Sequence, residues 1–354
     1  MRISHFLLPI CLTGFALGAN PSDLKMNDRF TISPTCNGRD LDGLLAESVV
    51  MIKNAITALT ALLGNIRAPN DELQGWIRAA QACWAIPKPE WYQQELAPVD
   101  KNRLRMVRRN FEMLLDVLDD LDYTTPSDNF MYCHSTDLRL TNMADEVFDD
   151  APKGQSIKDY IGPRLPDGAS KEWVWVDPNN HHHRILEGDG PSKLFFPDGY
   201  AGGQLCGSPS SMDALTYYKI PKKIFLCPNA WAKFRPSNSQ NRQDKGRKLY
   251  YEWQNMPGLL IHELLHWLAL MPSEFHIGDR NVWHPKEDRL VAAYGYVGAF
   301  LLSGHRARTD PRNNWPPDFT LTNADSYNVF ATMAYSPLAL FAPDDTASGL
   351  EFGF

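Results

Sequence analysis

The 354-residue chain contains no Cys-x-x-Cys pair, which argues against a cysteine-built zinc module. It has no Asn-x-Ser/Thr acceptor, so N-linked glycosylation is not expected. Beyond the N-terminus, no apolar run reaches the ~18 residues that a membrane-crossing helix needs. A membrane partner is therefore not expected. A basic excess is also lacking: 35 Lys and Arg stand against 42 Asp and Glu, a net charge of -7. Nothing here asks for a nucleic-acid partner. The one basic cluster, Arg242, Lys245, Arg247 and Lys248, lies among Ser, Asn and Gln and reads as a solvated loop. What remains is an ordinary globular composition, 44% hydrophobic and 22% charged, with length enough for a sizeable core.

The first residues, MRISHFLLPICLTGFALGA, have the form of a secretory signal peptide over 1–19. Arg2 supplies a positive start, Phe6 to Leu17 a short apolar stretch, and Ala16, Gly18 and Ala19 the small residues of a cleavage site. The mature protein is expected to be soluble, secreted and monomeric. Cys11 leaves with the signal, and Cys36, Cys83, Cys133, Cys206 and Cys227 remain. Export favours disulfides, and an odd count leaves one thiol over. Cys36 with Cys83, bracketing a helical segment, and Cys133 with Cys227, each ending a β-like run, are the expected pairs.

A helical N-terminal region, 20–125, either part of the same fold or a pro-region, is followed by the region expected to be catalytic, 126–354. Leu44, Leu45, Val49, Ile52, Ile56, Leu59 and Leu63 recur at helical spacing, with Asp40 as N-cap and Gly64 as stop. Further helices are expected from Asp71 to Trp84 and from Asp100 to Leu121. Short β-prone runs come next: NFMYCH (129–134), EWVWV (172–176), KLFF (193–196) and KKIFLC (222–227). The stretches 134–170 and 197–220 read as long loops. His181, His182 and His183 read as an exposed turn, since neighbours on a strand point to opposite faces.

The run LLIHELLHWLALM, residues 259–271, carries the chemistry. His262 and His266 are four apart, hence on one helical face, where both imidazoles can reach one metal ion. Glu263 sits where it can act as general base on a zinc-activated water, the H-E-x-x-H arrangement of zinc metallopeptidases. The helix is apolar nearly all round apart from these three residues, so it is buried, and a metal would satisfy both imidazoles at once. A catalytic zinc needs a third protein ligand. The metzincin position, six residues past His266, is Pro272. A thermolysin-like helix would offer Glu287, and Asp288 beside it would serve a different class.

Downstream, Tyr294-Gly295 and the run NADSYNVFA (323–331), together with KKIFLCPNAW ahead of the helix, resemble the deuterolysin and peptidyl-Lys metalloendopeptidase family, the aspzincins. The resemblance implies a secreted zinc metalloendopeptidase with an α+β, zincin-like fold: a helical N-terminal part, a small mixed β-sheet and a buried active-site helix. It implies one catalytic Zn2+ held by His262, His266 and an Asp, Glu263 as base, and Tyr294 as donor to the oxyanion. The partner would be a protein or peptide substrate. The family spaces these elements as G-T-x-x-D-x-x-Y-G, but position 291 is Val291 and the Gly-Thr is lacking. Asp288 is taken as the third ligand, with Glu287, Asp279, His276 and His284 as alternatives. Asp325 of the NADSY run is a partner for a zinc-bound His, or a helix-terminal carboxylate. The altered spacing also motivates a second reading, a secreted non-catalytic binding protein on the same fold. A zinc hydrolase acting on bonds other than peptides is a third.

Overall fold

The computed structural model describes residues 23–64, 71–86, 96–120, 126, 129–136, 139–142, 144, 156, 159, 173–176, 206, 212–217, 222–235, 255–268, 277–284, 287–303 and 317–335. The signal segment 1–19, the run 193–196, the basic cluster, His181–His183 and Pro272 lie outside the described residues. The architecture is α+β, mostly helical with small sheets.

Three N-terminal helices carry the apolar periodicity seen in the sequence: α1 (Leu41–Leu63), α2 (Asp71–Trp84) and α3 (Pro98–Asp119). The Asp40 side chain accepts from Gly43 N at the start of α1, satisfying one of the donors that a helix terminus leaves open. By length and composition α1 could cross a membrane, but Leu45, Val49, Ile52 and Leu59 are fully buried against the other helices. It packs on α3 and on the two helices of the site, α5 (Met256–Leu268) and α7 (Ala324–Tyr335). The N-terminal helices therefore share one core with the elements that carry the chemistry. Buried polar bonds join the two: Ser48 Oγ donates to Pro257 O at 3.1 Å, and Asn110 Nδ2 donates to the Tyr327 hydroxyl at 2.7 Å.

Beside this helical body lies a four-stranded sheet. Its strands are β1 (Thr31–Ile32), β2 (Asn129–Tyr132), β5 (Ala214–Tyr217) and β6 (Lys222–Leu226), in the order β1-β2-β6-β5. β1, β2 and β6 run parallel, and β5 returns antiparallel at the end of the sheet. β6 is buried along its whole length, as a strand covered on both faces must be. Short α4 (Pro228–Lys233) follows it. Separate two-stranded ribbons pair β3 (Arg139–Asn142) with β4 (Trp173–Val176), and β7 (Asn281–His284) with β8 (Arg289–Ala292). β3 and β5 fall in stretches the sequence reads as loop. A last short helix, α6 (Gly295–Leu302), follows the second ribbon.

The disulfides differ from the expected pairs. Cys36 is bonded to Cys133 and Cys206 to Cys227. The register of β1 on β2, with Ile32 opposite Met131, carries Cys36 and Cys133 off the same edge, so the strands set the first pair. Cys83 lies on the buried face of α2 and stays free. Burial, with a smaller contribution from the nearby Asp325 charge, pushes its thiol well above the usual range. Two disulfides are consistent with an extracellular protein.

Candidate metal centre

Helix α5 begins at a cap the sequence supplies, with Asn255 Oδ1 accepting from Gly258 N at 2.6 Å. Gly258 is needed for closeness as well. A Cβ there would collide with the Asn328 side chain, so its absence lets α5 lie directly on α7. The helix is buried almost throughout. His262 and Glu263 are 5% and 3% exposed, so each requires partners.

Those partners fix the imidazoles. His262 Nδ1 lies 3.0 Å from Asp325 Oδ1, and His266 Nδ1 lies 3.2 Å from Ile277 O. A carboxylate and a carbonyl only accept, so both Nδ1 atoms donate. In the neutral rings both Nε2 atoms then present lone pairs. They stand 2.9 Å apart. Asp279 Oδ1 is 3.2 Å from each. Three acceptors thus face one another across a small space, an arrangement that a cation stabilises. Ligands of a tetrahedral zinc at ~2.0–2.1 Å lie about 3.3 Å from one another, so the donor set of His262, His266 and Asp279 fits a metal ion. The electrostatics agree. Burial opposes a charge on His262, but the Asp325 and Asp279 carboxylates outweigh it and raise its proton affinity well above normal. Against its own desolvation, Asp279 is driven far below the usual carboxylate range by the two imidazoles. The field that favours a proton there favours a metal cation in its place.

Two further groups border this space. Glu263 accepts from Thr216 Oγ1 of β5 at 2.7 Å. Its burial raises the carboxyl's pKa, while His262, His266 and the Thr216 bond pull the other way. The hydroxyl of Tyr294 donates to Asp279 Oδ2 at 2.9 Å. The ring is half exposed. Enclosure of its hydroxyl end, and the Asp279 charge beside it, hold the phenol protonated well beyond its ordinary range.

No protein-family model, curated protein or solved structure matches the chain. The geometry therefore stands on its own.

Of the residues singled out in the sequence, the fold brings together His262, Glu263, His266, Tyr294 and Asp325. It does not bring Asp288. That residue lies exposed in the turn of the β7–β8 hairpin, with φ +48°, and its amide donates to His284 O at 2.9 Å. An Asp suits that left-handed position for conformational reasons. Glu287 is exposed in the same turn and paired with Arg289 at 2.6 Å, and no second helix carries it. Asp279, one of the alternatives, is the carboxylate that stands with the imidazoles. Between Asp279 and Tyr294 the chain makes a self-contained excursion, the hairpin Asn281–Ala292, closed by Ala293 N donating to Arg280 O at 2.6 Å. The sequence signal for it is the β-prone NVW and RLV flanking HPKED, a strand–turn–strand pattern. Thr216 carried no such signal, because its role comes from a long-range contact, and Asn323 was marked only as the first residue of the NADSYNVFA run.

Proposed function

We propose that the chain is a secreted zinc-dependent metalloendopeptidase with a zincin-like fold, of the aspzincin type. The observation that carries the reading is the convergence of His262 Nε2, His266 Nε2 and Asp279 Oδ1 within 4.8 Å of one another, bordered by Glu263 and Tyr294. The hairpin adds support. Removing 281–292 from the sequence leaves Asp279-Arg280-Ala293-Tyr294-Gly295, the D-x-x-Y-G spacing of that family. The departure in spacing becomes an insertion between two site residues, and it no longer favours a binding protein over an enzyme.

His262, His266 and Asp279 would hold the zinc. When bound, zinc supplies Lewis acidity that brings a water's pKa toward neutrality and polarises a carbonyl. Glu263 takes the proton of the attacking water. Its burial raises its basicity toward the range a general base needs, and Thr216 fixes one oxygen while the other accepts. The same carboxyl then hands the proton to the leaving amine. Tyr294, a neutral donor at any working pH, turns its hydroxyl from Asp279 to the developing oxyanion. β5 is the end strand of the described sheet and packs on α5. An extended peptide pairing along β5 would pass Glu263, because Thr216 lies on that strand.

The test combines zinc analysis with a broad peptide-library digest of the wild type and Glu263→Gln. The expected result is one zinc per chain in both. Cleavage by the wild type should vanish with chelator and return with zinc, and Glu263→Gln should show a loss of at least ~10²-fold. Zinc without cleavage of any peptide would support the binding-protein reading. Turnover of small esters or amides alone would support a non-peptide hydrolase.

A further inference from the structure

We infer that the turn Thr322–Asp325, at the start of α7, is the template that assembles the metal centre, with Asn323 and Asp325 as its positioning residues. This rests on the metallopeptidase reading of the site and names what holds that site in register.

Three site groups come from separate parts of the chain, joined to one another by only a few bonds, such as the Tyr294 hydroxyl to Asp279 and Ala293 N to Arg280 O. His262 is on α5. Asp279 precedes the hairpin and Tyr294 follows it. The hairpin cannot fix its own root, since a ribbon of four-residue strands is marginal alone. The turn reaches all three. Gly278 N donates to Thr322 O at 2.9 Å, and Ala324 N donates to Gly278 O at 3.1 Å. Asn323 spans the root, its Oδ1 accepting from Arg280 N at 3.2 Å and its Nδ2 donating to Ala293 O at 3.3 Å. Asp279 is thus held on both sides, through Gly278 and Arg280, and the Ala293 contact fixes the chain entering Tyr294.

Asp325 completes the set with its two oxygens. Oδ1 accepts a hydrogen bond from His262 Nδ1 at 3.0 Å and another from Asn328 Nδ2 at 3.2 Å. Oδ2 takes the amide of Gly295 at 2.8 Å. Gly295 has φ +66°, a left-handed turn that glycine adopts without strain, and it aims that amide inward. One carboxylate therefore fixes the face that His262 turns to the metal and the backbone that carries Tyr294. Asn323 and Asp325 are 1% and 4% exposed, so these bonds act without competition from water. Neither residue touches substrate in this scheme. They act through Asp279, Tyr294 and His262.

The test measures zinc affinity by chelator competition, with kcat and KM on a peptide substrate, for wild type, Asn323→Ala, Asp325→Asn and Asn110→Ala. Asn110 also makes a buried bond to α7, through Tyr327, but touches no site residue, so it controls for lost stability. All are assayed at a temperature where circular dichroism shows them folded. Asn323→Ala and Asp325→Asn should bind zinc ~10–100-fold more weakly. At saturating zinc both should have lowered kcat with KM little changed, and Asn110→Ala should match wild type in both respects. Should either variant fail to fold, Asn323→Asp and Asp325→Glu replace it and should show smaller losses in the same two quantities. Site variants that match Asn110→Ala, in a wild type that binds zinc and cleaves peptide, overturn the template alone. A wild type that binds no zinc overturns the metal reading and the template with it.

Discussion

Asp279 and Asp288 show what decides a ligand at the scale of one residue. Both are acidic and both lie between the second His and Tyr294. Asp288 fills a left-handed turn position in solvent, whereas Asp279 puts one oxygen 3.2 Å from two imidazoles and gives the other to the Tyr294 hydroxyl. Tyr294→Phe should retain zinc and lower kcat by about 10²-fold, the usual cost of one oxyanion donor. Steady-state kinetics at saturating zinc would show this, and an unchanged kcat would remove Tyr294 from the mechanism. Charge at His262 gives a second prediction. The metal-free fold raises its proton affinity, so the folded state binds more protons than the unfolded above the ordinary imidazole value near 6.5. Stability of the chelator-treated protein should therefore be fully present below that pH and fall as pH rises through the raised value. Zinc should remove this fall, since the metal takes the proton's place. Thermal unfolding between pH 6 and 9, with and without zinc, checks both signs.

Among the elements, the helices were legible and the connections were not. α1 and α2 occupy the spans their apolar spacing predicts, and the Asp40 cap and Gly64 stop both serve α1, because helical periodicity is a local property. β6 was legible for the same reason, as the β-prone run KKIFLC, although burial of Lys222 and Lys223 at its start was not. β5 was not. Its four residues, Ala-Leu-Thr-Tyr, hold no pattern of their own, and they form a strand because β6 offers an edge. The β7–β8 hairpin was hidden by the assumption that spacing in sequence equals spacing at the site. It departs and returns between Arg280 and Ala293, which already share a backbone bond. Paired residues in such a ribbon lie about 4.5–5.5 Å apart, against 3.80 Å across one peptide. Excision of 281–292 therefore asks only a small closure, and the shortened protein should keep zinc affinity within ~10-fold. Loss of zinc binding by a folded excision variant would show that the ribbon itself shapes the centre.

For the molecule as a whole, the helical region 20–125 and the described residues after it share one core. Helices α1, α2 and α3 pack with α5, α6 and α7 in one cluster, and Trp84 of α2 lies against Phe330 of α7 with ring centroids 4.5 Å apart. A chain beginning at residue 126 would expose that apolar surface. It should be insoluble or molten by near-ultraviolet dichroism and one-dimensional NMR, whereas a folded, zinc-binding fragment would show the helical part to be separable. The disulfides belong to this scale too. Cys36–Cys133 closes a separation of 97 residues and ties the chain ahead of α1 to β2. Its pairing follows strand register, which cysteine spacing along the sequence does not reveal.

Asp279 would complete the metal centre with His262 and His266. Zinc content after dialysis, measured side by side for wild type, Asp279→Asn and Asp288→Asn, tests it most directly. One zinc per chain is expected in the wild type and in Asp288→Asn, and a near-complete loss in Asp279→Asn. Zinc retained by Asp279→Asn, or lost from Asp288→Asn, would contradict it.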